Sequence, residues 1–561
     1  MSYEFFEELQ ASKHRLDGET RREAANRIAG GLTSETSHYD KLRHIFKLMR
    51  FIPAGRVQSS IGSTKAVTSF NCAVSSVIED SMVDGKNCIM DIVKEAATIM
   101  RMGCGNGYDF STLRPKGALI KKLNSNSSGP VPFMHIFNAL GLCVASSGHR
   151  RGAQMGVLRI DHPDIEEFIH CKQNTDQLTG FNLSIGMTDE FMECLEKGKP
   201  FNLKWGGQVY KTIDPATLWN QIMRSAWDWA EPGILFLDTI NNNNALSYCE
   251  TIAATNPCGE QPLPPNGVCL LGSFNLPKYL SKTPTGYFFD NELLIEDIPS
   301  IVRAMDMVID KSKYPLHEME QEAKAKRRIG IGVTGVANTI EAMGFSYGSP
   351  LFIEVMEDIL NTILDHSYRA SAMVAKEKGA FPKFDLGHYK KSRVWKKLSS
   401  KTRKAIETHG LRNSHLTSIA PTGTISLTAG NVSGGIEPVF DYETIRPIRT
   451  PTGDKVVTIQ DYAFRELGVR GKTHDQVTAQ EHMDVLIAAS KYVDSAVSKT
   501  VNCGDEVSWE DFEQLYFKAW KGGCKGVSVF RPSCKRAGLL QKGEGGETCT
   551  VDPVTGVKEC N

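Results

Sequence analysis

The chain has 561 residues and a mass of 62.0 kDa, with 65 basic and 65 acidic residues and a formal net charge of zero. That balance asks for neither a nucleic-acid groove nor an anionic membrane surface. No apolar run of about 18 residues occurs, so no transmembrane helix is predicted, and the N-terminal stretch has no apolar h-region of a signal peptide. A cytoplasmic protein is expected. The 14 cysteines include no CxxC pair, which argues against a structural zinc site, and no metal site is predicted.

In chain order, residues 1–50 read as a short, charged helical region that ends at Phe51-Ile-Pro-Ala-Gly55. From there short apolar runs alternate with amphipathic windows. DIVKEAATIMRMG, 91–103, reads as a helix leading into the glycine-rich CGNGYDF, which lacks the GxGxxG spacing of a dinucleotide site. Strands are predicted at GVLRI (156–160), IGIGVTGVA (329–337), HLTSIA (415–420) and KGVSVF (525–530). Strands interleaved with helices predict an α/β architecture with a mainly parallel sheet. Residues 532–561 are rich in Gly, Thr, Lys and Glu and are expected to form a flexible tail, which carries Cys549 and Cys560. Two thiols on a mobile segment suggest redox work.

The chemistry concentrates in TNPCGEQPLPPNGVCLLGSFNL, 255–276. Its prolines forbid a helix. If the start is extended, Asn256, Cys258 and Glu260 share one face. Cys258 as an acyl-transfer nucleophile would want a histidine base, and neither His170 nor His317 has a recognisable context. Radical removal of a sugar hydroxyl fits better: a thiyl radical takes hydrogen, a carboxylate takes the neighbouring hydroxyl proton, an amide holds the region, and two further thiols supply electrons.

NPCGEQPLPPNGVCLLGSFNL resembles the finger loop of ribonucleotide reductase catalytic subunits. The likeness runs from Phe51 to Arg531, through SFNCAV, SGHRRGAQMGVLRIDHPDIEEFI, RRIGIGVTGVA and APTGTISLTAGNVSGGIEP. It implies a ten-stranded α/β barrel of two five-stranded parallel halves set antiparallel, spanning 51–531, with a central finger loop. It implies that Cys258 becomes the thiyl radical, Glu260 handles the 3′-hydroxyl proton and Asn256 hydrogen-bonds beside it. Cys72 and Cys269 match the pair oxidised with each substrate, and Cys549 and Cys560 the tail pair that re-reduces it. Ser69 and the loop Pro421-Thr422-Gly423-Thr424-Ile425 are implied in substrate binding. Asp80, Arg114, Arg150, Arg151 and Gln154 are implied at a dNTP effector site with Mg2+ and its loop.

The resemblance further implies a ribonucleotide substrate, thioredoxin or glutaredoxin as reductant, an effector-promoted homodimer, and no nucleic-acid or membrane partner. Fifty residues before Phe51 are too few for the family's ATP cone, so no overall-activity switch is expected. Two radical sources stay open. One is adenosylcobalamin; the other is a separate small, ferritin-like, metal-containing subunit. Ser528 and Val529 in GCKGVSVFRPS stand where the second kind has adjacent tyrosines, whereas the continuation FRPSCKR departs from the first kind. A dithiol oxidoreductase using only the tail, or a non-catalytic nucleotide-binding regulator, are the rival readings.

Overall fold

The computed structural model describes residues 2–146, 150–173, 177–450, 453–535, 549–551 and 558–560. Three helices lead in: α1 (Ser2–His14), α2 (Arg21–Leu32) and α3 (Thr36–Lys47). A capping box starts α2, with the Thr20 hydroxyl on the Glu23 N–H and the Glu23 carboxylate back on Thr20. The apolar faces of α2 and α3, including Ile28, Leu32, Leu42 and Ile45, share a core with Phe51 and with Ile298 and Ile301 of the helix Asn291–Lys311. α1 instead sets Phe5 and Phe6 on Ile459, in the antiparallel pair Glu443–Thr450 and Gly453–Gln460. The short α4 (Gly55–Ser60) follows, and the predicted helix at 91–103 appears as α5 (Ile89–Arg101).

One sheet dominates, formed by β1 (Phe51–Pro53), β2 (Cys72–Val74), β3 (Gly105–Asp109), β4 (Gln154–Arg159), β5 (Phe181–Met187), β6 (Gly233–Phe236), β7 (Val268–Asn275), β8 (Ile329–Thr334), β9 (Thr500–Asn502) and β10 (Gly526–Phe530). β2, β3, β4, β5 and β6 pair in that order, all parallel. β7 pairs β8 in parallel, and β9 pairs β10 in parallel. Parallel bridges Ile331–Thr417 and Ile419–Val497 carry the pairing from β8 through residues 415–420 to the chain entering β9. The predicted strand at 415–420 is thus present as bridges rather than a continuous ladder. Antiparallel seams β2/β7 and β6/β10 join the two halves. The result is the α/β barrel of two five-stranded parallel halves; β1 lies outside it, on the edge of β7 that β2 also uses.

Side chains alternate across these strands as pleating requires. Ala73 and Leu270 face the outer core, whereas Cys72, Val74, Cys269 and Leu271 belong to a smaller inner cluster. That lumen also holds Ala254 and Leu263, from the hairpin Ala254–Thr255 and Pro262–Leu263. The hairpin passes so close to β3 that a Cβ on Gly107 would lie 1.9 Å from the Thr255 carbonyl oxygen. Glycine is required there to admit the loop.

Candidate active site

Residues 256–261 form a tight turn at the hairpin tip, not the extended stretch the alternation suggested. The Gly259 N–H donates to the Asn256 carbonyl at 3.0 Å, and the Asn256 N–H to the Gln261 carbonyl at 3.2 Å. Gly259, at φ +80°, reverses the chain. Asn256, Cys258 and Glu260 still line one cavity, because the whole tip projects into the lumen. The tip is tied to the second half of the barrel: the Glu260 carbonyl accepts from the Ala496 N–H and the Ser418 hydroxyl, both at 3.0 Å.

The polar groups interlock. Asn256 accepts the Gln261 N–H through Oδ1 at 2.9 Å and donates through Nδ2 to Cys72 Sγ at 3.2 Å. The Cys72 thiol points at Glu260 Oε1, 3.7 Å away, while Glu260 Oε2 is buried without a hydrogen-bond partner. Burial raises the Glu260 carboxyl above the ordinary value of 4.5, against the hydrogen bonds that favour its charge. An orphaned carboxylate oxygen in a cavity is placed to accept a proton or hydrogen bond from a ligand.

Cys72 and Cys269 are directly opposite one another across the β2/β7 seam. Opposed residues on antiparallel strands have Cα atoms about 4.5–5.5 Å apart, within the roughly 4.4–6.8 Å span of a disulfide. Both are buried, reduced thiols in this structure. Burial pushes both thiols upward, and for Cys72 the neighbouring Glu260 adds to it. They are therefore neutral at pH 7: poor nucleophiles, but carriers of hydrogen as well as electrons. Cys258 is only half-buried. His170 bonds Gln221 and His317 bonds Gln321, and neither lines the cavity.

Pro421, Thr422, Gly423, Thr424 and Ile425 line the opposite wall, at the start of α6 (Gly423–Thr428). Thr422 sits at φ +57°, and its hydroxyl is engaged by Thr334, Ser426 and the Gly435 N–H. Ser69 is buried with its hydroxyl 2.7 Å from Ser60 Oγ and is not among the lining residues. The wall includes three residues that no motif reading singled out: His14, Asn71 and Ser273. Asn71 stands inside SFNCAV, whereas His14 left no signal in its local sequence.

The expected effector residues lie elsewhere. Asp80 and Arg114 bind each other, Arg114 Nε to Asp80 Oδ2 at 2.6 Å and the Arg114 N–H to Oδ1 at 3.0 Å. Arg150 and Arg151 form a short strand against Ala145–Ser146, and residues 147–149 of that loop lie outside the described residues. Gln154 is buried at the start of β4, accepting from the Tyr108 hydroxyl and donating to the Phe137 carbonyl, each at 3.0 Å. In the tail, Cys549 and Cys560 are register partners in the antiparallel pair Cys549–Val551 and Lys558–Cys560, whose second strand lies against α6. Among the described residues no group of three or more metal-ligating side chains is placed to hold an ion, and no helix is long and apolar enough to cross a membrane.

The chain matches the family model described as ribonucleotide reductase, barrel domain, over residues 70–480 and 471–530. It is 33% identical over 543 residues to a vitamin B12-dependent ribonucleoside-diphosphate reductase of Thermoplasma acidophilum, covering 91% of this chain and 67% of that one. A Mycobacterium tuberculosis protein of the same name is 34% identical over 82% of this chain and 68% of its own. A Streptomyces coelicolor vitamin B12-dependent ribonucleotide reductase is 28% identical over 81% of this chain and 56% of its own. With the barrel, the inserted loop and this likeness together, the chain belongs to the ribonucleotide reductase catalytic subunits.

Proposed function

We propose that this enzyme reduces a ribonucleotide to its 2′-deoxyribonucleotide by thiyl-radical chemistry at Cys258, with adenosylcobalamin as the radical source. The observation that carries the reading is the convergence of Cys72, Cys258, Glu260 and Asn256 on one cavity, with Cys269 directly opposite Cys72 across the β2/β7 seam. The Cys258 thiyl takes the 3′ hydrogen. Glu260 accepts the 3′-hydroxyl proton through its free oxygen, and Asn256 holds the thiol and carboxylate side of the site in register. The 2′-hydroxyl leaves as water. Cys72 and Cys269 supply two electrons and two protons and end as a disulfide, and Cys258 returns its hydrogen to C3′. The net change is ribonucleotide plus dithiol to deoxyribonucleotide, disulfide and water. Cys549 and Cys560, opposed on a strand pair whose second strand lies beside α6, are the internal dithiol that restores the pair by exchange. Thioredoxin or glutaredoxin resets the tail in turn.

Adenosylcobalamin is favoured by the vitamin B12 dependence for which the relatives are named and by β10, where Ser528 pairs Thr500 and Val529 is buried, so neither offers a phenol for a relay from a second subunit. The residues fit such a group at one point in particular. Cys258 is half-exposed, and a Cβ built on neighbouring Gly259 would meet nothing within 4 Å, so the thiol is reachable from that side. When bound, the cofactor supplies the one-electron oxidant that turns the Cys258 thiol into a thiyl. The nucleoside diphosphate named for the Thermoplasma and Mycobacterium relatives is the substrate proposed here. Specificity control by a dNTP with Mg2+ near Asp80 and Arg114, and an effector-promoted homodimer, complete the reading.

The test is dNTP-stimulated reduction of a ribonucleoside diphosphate with dithiothreitol, with and without adenosylcobalamin. Turnover only with the cofactor is expected. Turnover that instead requires a metal-bearing second subunit would replace the proposed radical source. A second expectation concerns the thiols: with cofactor, substrate and effector but no reductant, a chain carrying Cys549→Ser and Cys560→Ser loses two thiols in its first turnover, mapping by mass spectrometry to Cys72 and Cys269, whereas in the wild type exchange spreads the loss to the tail pair. Oxidation confined to Cys549 and Cys560, with no deoxyribonucleotide formed, would favour the tail-only dithiol oxidoreductase.

A further inference from the structure

His14 is the last residue of α1, and only 5% of it is exposed, yet it lines the same cavity as Cys258 and Glu260. Among the described residues the cavity wall contains amides, hydroxyls, thiols and one carboxylate, but no lysine or arginine. A nucleoside diphosphate brings two or more negative charges into it. Among the described lining residues His14 is the one with an imidazole, able to donate an N–H to an anion, and it stands at the C-terminal end of α1.

The neighbouring backbone is shaped around that ring. A Cβ on Gly55 would lie 2.7 Å from His14 Nε2 and 2.9 Å from Cδ2. Gly55 opens α4 without a left-handed φ, so its backbone does not call for glycine; the imidazole does. α1 is also held firmly. Phe5 and Phe6 pack on Ile459, the Arg465 guanidinium lies 5.1 Å from the Phe6 ring centroid, and Arg15, next to His14, pairs with Glu7 at 2.9 Å. The helix rests against both α4 and α6. A helix far from the barrel motifs in sequence is thus anchored so that its final side chain closes the cavity beside the 421–425 loop.

We infer that His14 is a substrate-binding residue that contacts the phosphates of the ribonucleotide. This rests on the reductase reading above. The imidazole N–H donates to a phosphate oxygen while the loop at 421–425 presents its backbone from the other side. No bond forms or breaks at His14.

Equilibrium dialysis on the full chain, without cofactor, tests this with a ribonucleoside diphosphate and its parent nucleoside. His14→Ala is expected to weaken the diphosphate about tenfold and leave nucleoside binding within about twofold, because only the charged contact is lost. His14→Gln, which keeps a neutral donor, is expected to fall between. Gly55→Ala leaves the imidazole in the chain but displaces it, and is expected to reproduce the His14→Ala pattern. Equal diphosphate binding by wild type and His14→Ala overturns the inference. So does an equal loss for diphosphate and nucleoside in both variants, which marks His14 as structural. A wild-type chain that takes up no ribonucleotide overturns the reductase reading itself, and the inference with it.

Discussion

A Cys258→Ser chain is expected to bind ribonucleotide normally and to turn over none of it, a loss of at least about 10⁴-fold in kcat, equivalent to roughly 5.5 kcal/mol of barrier. The reason is specific to the element. An O–H bond is far stronger than an S–H bond, so serine cannot be oxidised by a reagent matched to a thiol. The other two cysteines are not expected to substitute: Cys72 and Cys269 are buried and are the proposed electron pair. Serine is nearly isosteric, and Cys258 is half-exposed on a turn shaped by backbone hydrogen bonds and Gly259, so folding is expected to survive. Steady-state assays beside substrate dialysis check it. Residual turnover above about one per cent would show that the radical resides on another side chain.

Replacing Glu260 by Gln is expected to lower kcat by about 10²–10⁴-fold with little change in substrate affinity. The amide keeps an oxygen for the Cys72 thiol, but it removes the partnerless carboxylate oxygen that can take up a proton in the cavity. The wild type should also show the pKa shift in its pH profile. Burial raises this carboxyl above 4.5, and the reaction needs the carboxylate, so kcat/KM falls as pH drops through the raised value, on a limb displaced toward neutrality. The Gln variant is expected to lose that limb. The stability effect has the opposite sense. A group whose folded pKa exceeds its unfolded one contributes most below the unfolded value, and that contribution is lost as pH rises through the folded one. An acid limb that persists unchanged in Glu260→Gln would assign it to a different group.

The α/β alternation was legible because β4, β8 and β10 are short apolar runs separated by helical windows, whereas the barrel itself was implied only by the family resemblance. Pairing of the 415–420 segment was harder to read, since two bridges hold it rather than a ladder. The cysteines and Glu260 stood out through motif context, but their common environment was attributed to alternation, whereas Gly259 builds a turn. Local pattern does not distinguish an extended run from a reversed one when the decisive residue is a single glycine. Ser69 was implied in substrate binding by the family resemblance alone, and the structure pairs its hydroxyl with that of Ser60. His14 was out of reach for a different reason. Its partner Gly55 lies 41 positions away, and the contact depends on where α1 lands, which is settled by packing on a hairpin near residue 459.

The antiparallel seam between β2 and β7 has a mechanical consequence. Its two cysteines belong to opposite halves of the barrel and are separated by roughly two hundred residues of chain, so a bond between them fastens a very large loop. Closure on that scale restricts the unfolded chain by about 5 kcal/mol in the entropic account. If Cys72 and Cys269 are the pair oxidised in each turnover, as proposed, every cycle latches the two halves together and then releases them, and the spent enzyme is expected to be the tougher particle. Heat resistance and readiness to react should run in opposite directions, with the reductant acting as the key to the latch.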